Sequence, residues 1–511
     1  MANKQDSSCT TLYIAEELTP KVLPGTLGAD AIWRAAEPNT YSDFGGKYSK
    51  VSRNPINAGR QVKKGVLTDL EVSGGFNTDI THNNNQRYMQ GFLFADAHEK
   101  PDTISFNSTA IPITSVTAST KTYAAASGLG IFKANHLIWT SGFSNAANNG
   151  LDLVASATGT TVVGTATKAD EASPAATARI EAVGFQFPSG DLTLTVSASG
   201  IRLTSASFIM TGLGLTVGEW IFVGGDASAN KFANNPPGYA RIKAITSTYI
   251  DLNETTFTPT DDSGTGKLIR LFFGRFIKNE ATCDLIKRRS YQLQRQLGED
   301  SNGTMSEYLL GSFPNEFKLN VPESNKLNAD LSFVCMDYET RTGTEEVKAG
   351  TYISSLDEDA YNTSNDVFRM KMSLYDSANI NNPALFAYVT DANIAITNNV
   401  TPNKAIGTLG AFDASTGDFV VSGSLTAYFA TVDAVAAIRN NSDVSFNAIF
   451  ARENNGFVID LPLITLGGGL LNVEKDQPIT LPVDMSACEN DLGFTMGVTF
   501  FTYLPTVAMP E

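Results

Sequence analysis

Residues 68–80 alternate with a period of two. Thr68, Leu70, Val72, Phe76, Thr78 and Ile80 fall on one side, and Asp69, Glu71, Ser73, Gly75, Asn77 and Asp79 on the other. Successive side chains of a strand point to opposite faces, so this segment reads as an antiparallel strand that covers a core on one face and meets water on the other. A helix-like stretch, residues 83–94, follows it. The same order returns far downstream. Val72-Ser73-Gly74-Gly75-Phe76 is echoed by Val421-Ser422-Gly423-Ser424-Leu425, again followed by a helix-like stretch at 432–438. In that register Asp418 falls opposite Asp69, and Phe419 opposite Leu70.

The strands that come next correspond as well. Residues 290–295 match 444–449, and each run leads through a polar turn to a second strand. Each half then closes on an alternating strand: Leu327, Ala329, Leu331, Phe333 and Cys335 in the first, and Phe494, Met496, Val498 and Phe500 in the second. Four elements in the same order indicate an internal duplication. Glycine is abundant (42 residues), and short Val, Ile, Phe and Leu runs sit between Ser, Thr and Asn clusters. That texture belongs to an all-β protein with a few short helices. The expected organisation is a discontinuous first domain (1–102 and 276–340), a β-rich insert (103–275), a polar linker (341–370) and a second domain (371–511).

The insert carries a fainter repeat of its own. Gly128-Leu129-Gly130, Leu137-Ile138-Trp139 and Asn148-Asn149 compare with Gly212-Leu213-Gly214, Trp220-Ile221-Phe222 and Asn234-Asn235. It is close to neutral, whereas acidic residues far outnumber basic ones in 371–511. Its distinct composition predicts a separate module whose excision leaves the rest of the chain able to assemble.

The formal net charge of −16 argues against a surface that grips DNA phosphates or an anionic membrane. Residues 1–20 do not read as a secretory signal, and no run of about 18 apolar residues occurs. Cys9, Cys283, Cys335 and Cys488 are far apart in sequence and form no CxxC pair, so they read as free thiols serving as small core residues.

Chemistry is sparse. His82, His98 and His136 have no metal-ligand spacing, and no HExxH or GxSxG motif occurs. Ser263-Gly264-Thr265-Gly266-Lys267 resembles the end of a phosphate-binding loop, but Asp261 replaces the upstream glycine and Leu268 stands where Ser or Thr should hold a metal. A turn is the expected reading. Asp357, Asp359, Asn362 and Asp366 suggest calcium, yet Asn362 and Phe368 occupy the positions where an EF-hand needs Gly and Glu. The residues therefore indicate no catalytic site, no cofactor and no metal. A carboxylate pair of glycosidase type stays open.

The order of segments resembles the tail tube proteins of long-tailed (siphophage-type) bacteriophages that carry two tandem tube domains. The residues that carry the likeness are Ile32-Trp33-Arg34 with 66–80, then Gly218-Glu219-Trp220-Ile221-Phe222-Val223-Gly224-Gly225 with 242–252, and Ser290-Tyr291-Gln292-Leu293-Gln294-Arg295 with 315–333. In the second half they are 394–399, Ile406-Gly407, 416–429, 458–462 and 476–484. The likeness covers about two thirds of the chain, and the insert departs from it by its length.

The resemblance implies a structural virion protein whose domains add strands to a closed inner barrel. Rings of three chains with pseudo-sixfold symmetry would stack into a tube around the tape measure protein. Tail tip and tail terminator proteins would be further partners, with assembly in the host cytoplasm and no membrane contact. DNA would pass through the lumen on ejection without specific binding. The wet-face residues Asp69, Glu71, Asp79, Asp330 and Asp418 are the expected acidic lining, repelling phosphates so that the genome slides. The alternatives are ordinary surface carboxylates on a sandwich, another all-β virion protein (decoration or receptor-binding), and a carbohydrate-acting surface enzyme.

Overall fold

The computed structural model describes residues 10–53, 56, 59, 61–98, 100, 111–197, 200–300, 303–343, 346–375, 382–386 and 388–510. The described chain is all-β with two α-helices. In order the elements are β1 (Thr11–Glu16), β2 (Ile32–Ala36), β3 (Pro38–Ser52), β4 (Gly65–Asp79) and α1 (His82–Phe92). Twelve strands, β5 to β16, then run from Ile113–Thr117 to Arg270–Phe272. After them come β17 (Arg275–Lys278), β18 (Tyr291–Asp300), β19 (Gly303–Val321), β20 (Asn328–Cys335), β21 (Asp337–Thr342) and β22 (Thr351–Ile353). The remainder comprises β23 (Val367–Leu374), β24 (Val389–Thr397), β25 (Thr401–Asn403), β26 (Asp413–Ser415), β27 (Val420–Tyr428), α2 (Asp433–Arg439), β28 (Val444–Arg452), β29 (Asn455–Gly468), β30 (Thr480–Ala487) and β31 (Gly497–Phe501). The chain divides into two compact units.

The first unit contains Met1–Phe94, Asp284–Thr363 and Thr390–Thr426. Its organising element is the nineteen-residue β19. The first half of β19 pairs with β18 and β21, and β18 continues through β1 to β2. After a bulge between Pro314 and Glu316, the second half pairs with β20 on one side and β24 on the other, and β20 continues to β4 and β3. One strand thus serves two sheets, and a bulge is the usual means of such a bend. β4 alternates as its sequence requires: Leu70, Val72, Phe76 and Thr78 are buried, with Glu71 and Ser73 exposed between them. Gly74 marks how closely the layers approach, because a Cβ there would stand 2.6 Å from a Leu309 methyl carbon. Helix α1 starts at Thr81, whose side chain and that of Asn84 cap each other's backbone N–H groups. It ends by placing Phe92 against Phe317 and Phe333, with ring centroids 5.5 Å apart in both cases.

The polar segment expected to be a linker contributes to this unit. β22 pairs in parallel with β2, Ala349 O accepts from the Trp33 indole at 3.1 Å, and Tyr361 is buried. Asp357 and Asp359 are exposed, as a solvated loop requires.

The second unit contains Ala95–Cys283, Ser364–Val389 and Ala427–Glu511. β5 to β16 form one twelve-stranded sheet folded about its own apolar core. The faint repeat inside the insert appears as a 3-10 turn, a strand and a second 3-10 turn, once at 129–148 and once at 210–230. The phosphate-loop-like residues form a turn in which Gly264 and Gly266 adopt positive φ. Beside this sheet β17 pairs with β31, β31 with β29, and β29 with β28 and β30, while β28 pairs with β23.

The insert is not free-standing within this unit. Leu137, Trp220, Phe222, Tyr239 and Phe272 pack in one cluster with Ile449, Val458, Phe501 and Leu504. A wet face was expected on the last alternating strand. Instead all of β31 is buried, and Thr499 Oγ1 accepts from Trp220 N at 3.2 Å, because the insert covers the side that sequence assigned to water. The cysteines also depart from expectation: Cys335 is a core residue, Cys283 and Cys488 are exposed, and Cys9 lies outside the described residues.

Candidate functional site

The wet face of the first unit is built across five strands, β3, β4, β20, β19 and β24. Residues facing outward from neighbouring strands meet as cross-strand pairs. Asn39 donates to Asn77 Oδ1 (3.0 Å) and to Asp79 Oδ1 (2.7 Å). Asn77 donates to Asp330 Oδ1 (2.7 Å) and to Asn328 Oδ1 (3.1 Å). From the other side Asn320 donates to Asp330 Oδ2 and Asn328 Oδ1, both at 3.0 Å. Asn320 stands opposite Asn393 of β24, which donates to Ser424 Oγ at 2.6 Å. The result is a ladder of amides and carboxylates running perpendicular to the strands.

The five sequence-selected acids fall into different situations. Asp330 is held by two asparagine amides. Asp69 meets Lys404 Nζ at 2.6 Å, and that ammonium holds the Asp69 carboxyl below the usual carboxylate range. Asp79 meets Lys326 Nζ at 2.5 Å. Glu71 is exposed and stands in register with Lys47. Asp418 is exposed and lies just before β27 rather than within a strand. The face is therefore polar and amide-rich, with two of its five acids neutralised locally by lysines. Sequence reasoning missed Lys326 and Lys404, which lie 247 and 335 residues from their partners.

At Asp69, Asp79 and Asp330 both carboxylate oxygens accept hydrogen bonds, and the asparagine amides donate to their neighbours, while Glu71 and Asp418 stay exposed. Among the described residues no group of three or more His, Cys, Asp or Glu side chains is placed to hold a metal ion. Nor is any helix among them long and apolar enough to cross a membrane.

A second feature is the β3–β4 hairpin. Near the body its strands carry Tyr41 opposite Phe76, and farther out Tyr48, Val51, Val66 and Leu67 are exposed. None of the fifteen residues of β3 is buried. A long, uncovered edge strand is an invitation to pair with another chain.

No curated protein matches the chain. The family model described as phage tail tube protein matches residues 8–487, nearly the whole of it. The chain, an all-β structural protein with a polar strand face and a long strand, β3, that pairs on one edge only among the described residues, belongs to the phage tail tube protein family and is a component of the virion tail that self-assembles into a tube.

Proposed function

We propose that three chains close into a ring, that rings stack into the hollow tail tube, and that the ladder face lines its lumen. The tube then encloses the tape measure protein before infection and conducts the genome to the host on ejection. Tail tip and tail terminator proteins bound its two ends, and assembly takes place in the host cytoplasm. The observation that supports the lumen reading most directly is the ladder itself. A wall that DNA must slide past needs hydrated, mutually satisfied polar groups, and the side chains from Asn39 to Asn393 supply them across five strands.

The stoichiometry follows from two repeats per chain, 1–102 with 276–340 and 371–511, joined through 341–370, with 103–275 as an insert on the outer surface. Three such chains supply six strand–helix–hairpin repeats, giving true threefold and approximate sixfold symmetry. Negative-stain microscopy of the purified protein is expected to show hollow tubes or discs, and native mass spectrometry of detached rings three chains. Compact monomers with no discs would sink the tube reading for this chain, and six chains per ring would sink the pairing of the repeats.

A further inference from the structure

A buried row of polar side chains crosses the second unit, away from the ladder face. Lys371 of β23 stands directly opposite Asn447 of β28, and Asn447 directly opposite Asp460 of β29. Directly paired residues share a face of the sheet, with Cβ atoms about 4.5–5.5 Å apart. The insert covers this face: Arg241 reaches Asp460, and the strand Tyr249–Thr255 brings Glu254 onto Lys371. Glu254 Oε1 accepts from Lys371 Nζ at 2.8 Å and from Arg369 at 3.2 Å. The same Arg369 nitrogen donates to Asn447 Oδ1 at 2.8 Å. Two cations thus meet one carboxylate, and one of them also grips the amide oxygen of the residue that faces the other.

Asn447 is fully buried, and its amide nitrogen has no hydrogen-bond partner among the described residues. A buried donor without an acceptor has lost its hydration with nothing in exchange. The side chains of Lys371 and Glu254 are only 8% and 5% exposed, and Arg369 lies over the Trp220 ring at 5.7 Å. Burial pulls the Lys371 ammonium below the usual lysine range; Glu254 opposes this, and the Arg369 and Arg241 charges add to it. The arrangement therefore supplies an amine that can lose its proton, an amide polarised by a guanidinium and a carboxylate to carry protons. All of them are shut off from water.

We propose that Lys371 and Asn447 join in an isopeptide bond that the folded chain forms by itself. Lys371 passes a proton to Glu254, and the neutral Nζ attacks Asn447 Cγ. Arg369 holds the negative charge that develops on Oδ1. The Nζ–Cγ bond forms and the Cγ–Nδ2 bond breaks. Nδ2 leaves as ammonium, taking a second proton from Nζ and the one held by Glu254. Nζ keeps one hydrogen, Glu254 is again a carboxylate, and no oxidant or reductant is consumed. One buried cation is removed, and Glu254 keeps Arg369 as its partner, which relieves a costly excess of buried positive charge. The link ties β23 to β28 and restricts the unfolded chain as a disulfide does. It forms within one folded chain whether or not rings assemble, so it does not depend on the tube reading.

Mass spectrometry of the full-length protein, freshly purified and again after prolonged incubation in the folded state, tests it. The intact mass is expected to fall short of the sequence mass by one ammonia. Trypsin should yield a branched peptide that joins Lys371 to Asn447 and is uncut after Lys371. Lys371→Arg and Glu254→Gln should each show the full mass of their own sequences. If neither variant folds, the parental digest still decides. A parental chain that holds its full sequence mass throughout would overturn the proposal. Loss of ammonia without a branched peptide, the mark of a succinimide at an asparagine, would overturn it too. A branch at Glu254 formed with loss of water would overturn the assignment of Asn447, and a link that persists in Glu254→Gln would remove Glu254 from proton transfer.

Discussion

Arg241, on a strand of the insert (Gly238–Ile245), and Asp460, on β29, form a two-contact ion pair at 2.9 and 3.1 Å with both side chains almost fully buried. Arg241 Nε also donates to Asn253 at 2.9 Å. Next to them Glu254 accepts from Lys371 at 2.8 Å and Arg369 at 3.2 Å. Removing one member of a buried pair leaves a desolvated charge, whereas replacing both with apolar groups removes that penalty. Arg241→Met is therefore expected to lower unfolding stability by about 3–5 kcal/mol. Arg241→Met with Asp460→Leu should recover much of the loss. Urea melts of these two variants and of Asp460→Leu alone decide it, and a double variant as unstable as the sum of both single changes would reject the pairing argument.

The same contact changes what deletion of the insert should do. Composition alone pictures a module that can be excised from the tube. In the second unit, however, Trp220, Phe222 and Tyr239 share a cluster with Ile449, Val458 and Phe501, and the Tyr239 hydroxyl donates to Ala508 O at 2.9 Å. Excising 103–274 would open that cluster to water. The expected product is insoluble or aggregated rather than a tube, because a contiguous apolar patch is left uncovered. Recovery of soluble deletion protein that still forms tubes would show the shared cluster to be dispensable.

Charge on the ladder face sets a third expectation. Reversing Asp69 would place a second lysine beside Lys404, so the informative positions are the exposed Glu71 and Asp418. Glu71→Lys with Asp418→Lys should leave assembly intact and slow DNA release, most strongly at low salt, since lysines hold phosphates by displacing counterions. Ejection kinetics across a salt series measure this. Release at the parental rate at every salt concentration removes these residues from the lumen.

How much of this was legible beforehand depends on whether a signal was local. The alternation in β4 and β20 is a property of adjacent residues, and both strands formed where the period of two placed them. The expected helices at 83–94 and 432–438 became His82–Phe92 and Asp433–Arg439, within the usual uncertainty of helix ends. β3 was not singled out because its side chains have no buried face to write a pattern with, and its role depends on what lies beyond its edge. β31 read as half-wet because the insert that covers Thr499 joins it through the fold and not through sequence neighbours. The lysines that neutralise Asp69 and Asp79 were hidden for the same reason. At the candidate site, the residue types on the wet face could be read from the chain, but their mutual hydrogen bonding could not.

The final expectation concerns acid. His136 opens the strand His136–Ser141 and is buried, with Nδ1 accepting from Lys133 N at 3.2 Å and its ring edge-on to Phe185 at 6.0 Å. Burial, reinforced by the Lys133 charge, pushes its folded-state value down to about 4 from the ordinary 6.5. The unfolded chain therefore takes up a proton below about pH 6.5 that the folded chain refuses until about pH 4. Stability contributed by the neutral ring is full above pH 6.5, declines as pH falls through this window, and levels off below it. The limit is about 3 kcal/mol for a shift of this size. Other groups also titrate here, notably His98, which burial lowers as well despite Glu280 at 2.8 Å, so the readout must be a difference. His136→Gln retains an acceptor and cannot titrate. Its melting temperature should fall less steeply than that of the parent between pH 6.5 and pH 4, with the two curves parallel above pH 7. Curves that stay parallel through the whole window would show that His136 protonates equally in the folded and unfolded chain, and that its burial carries no acid lability.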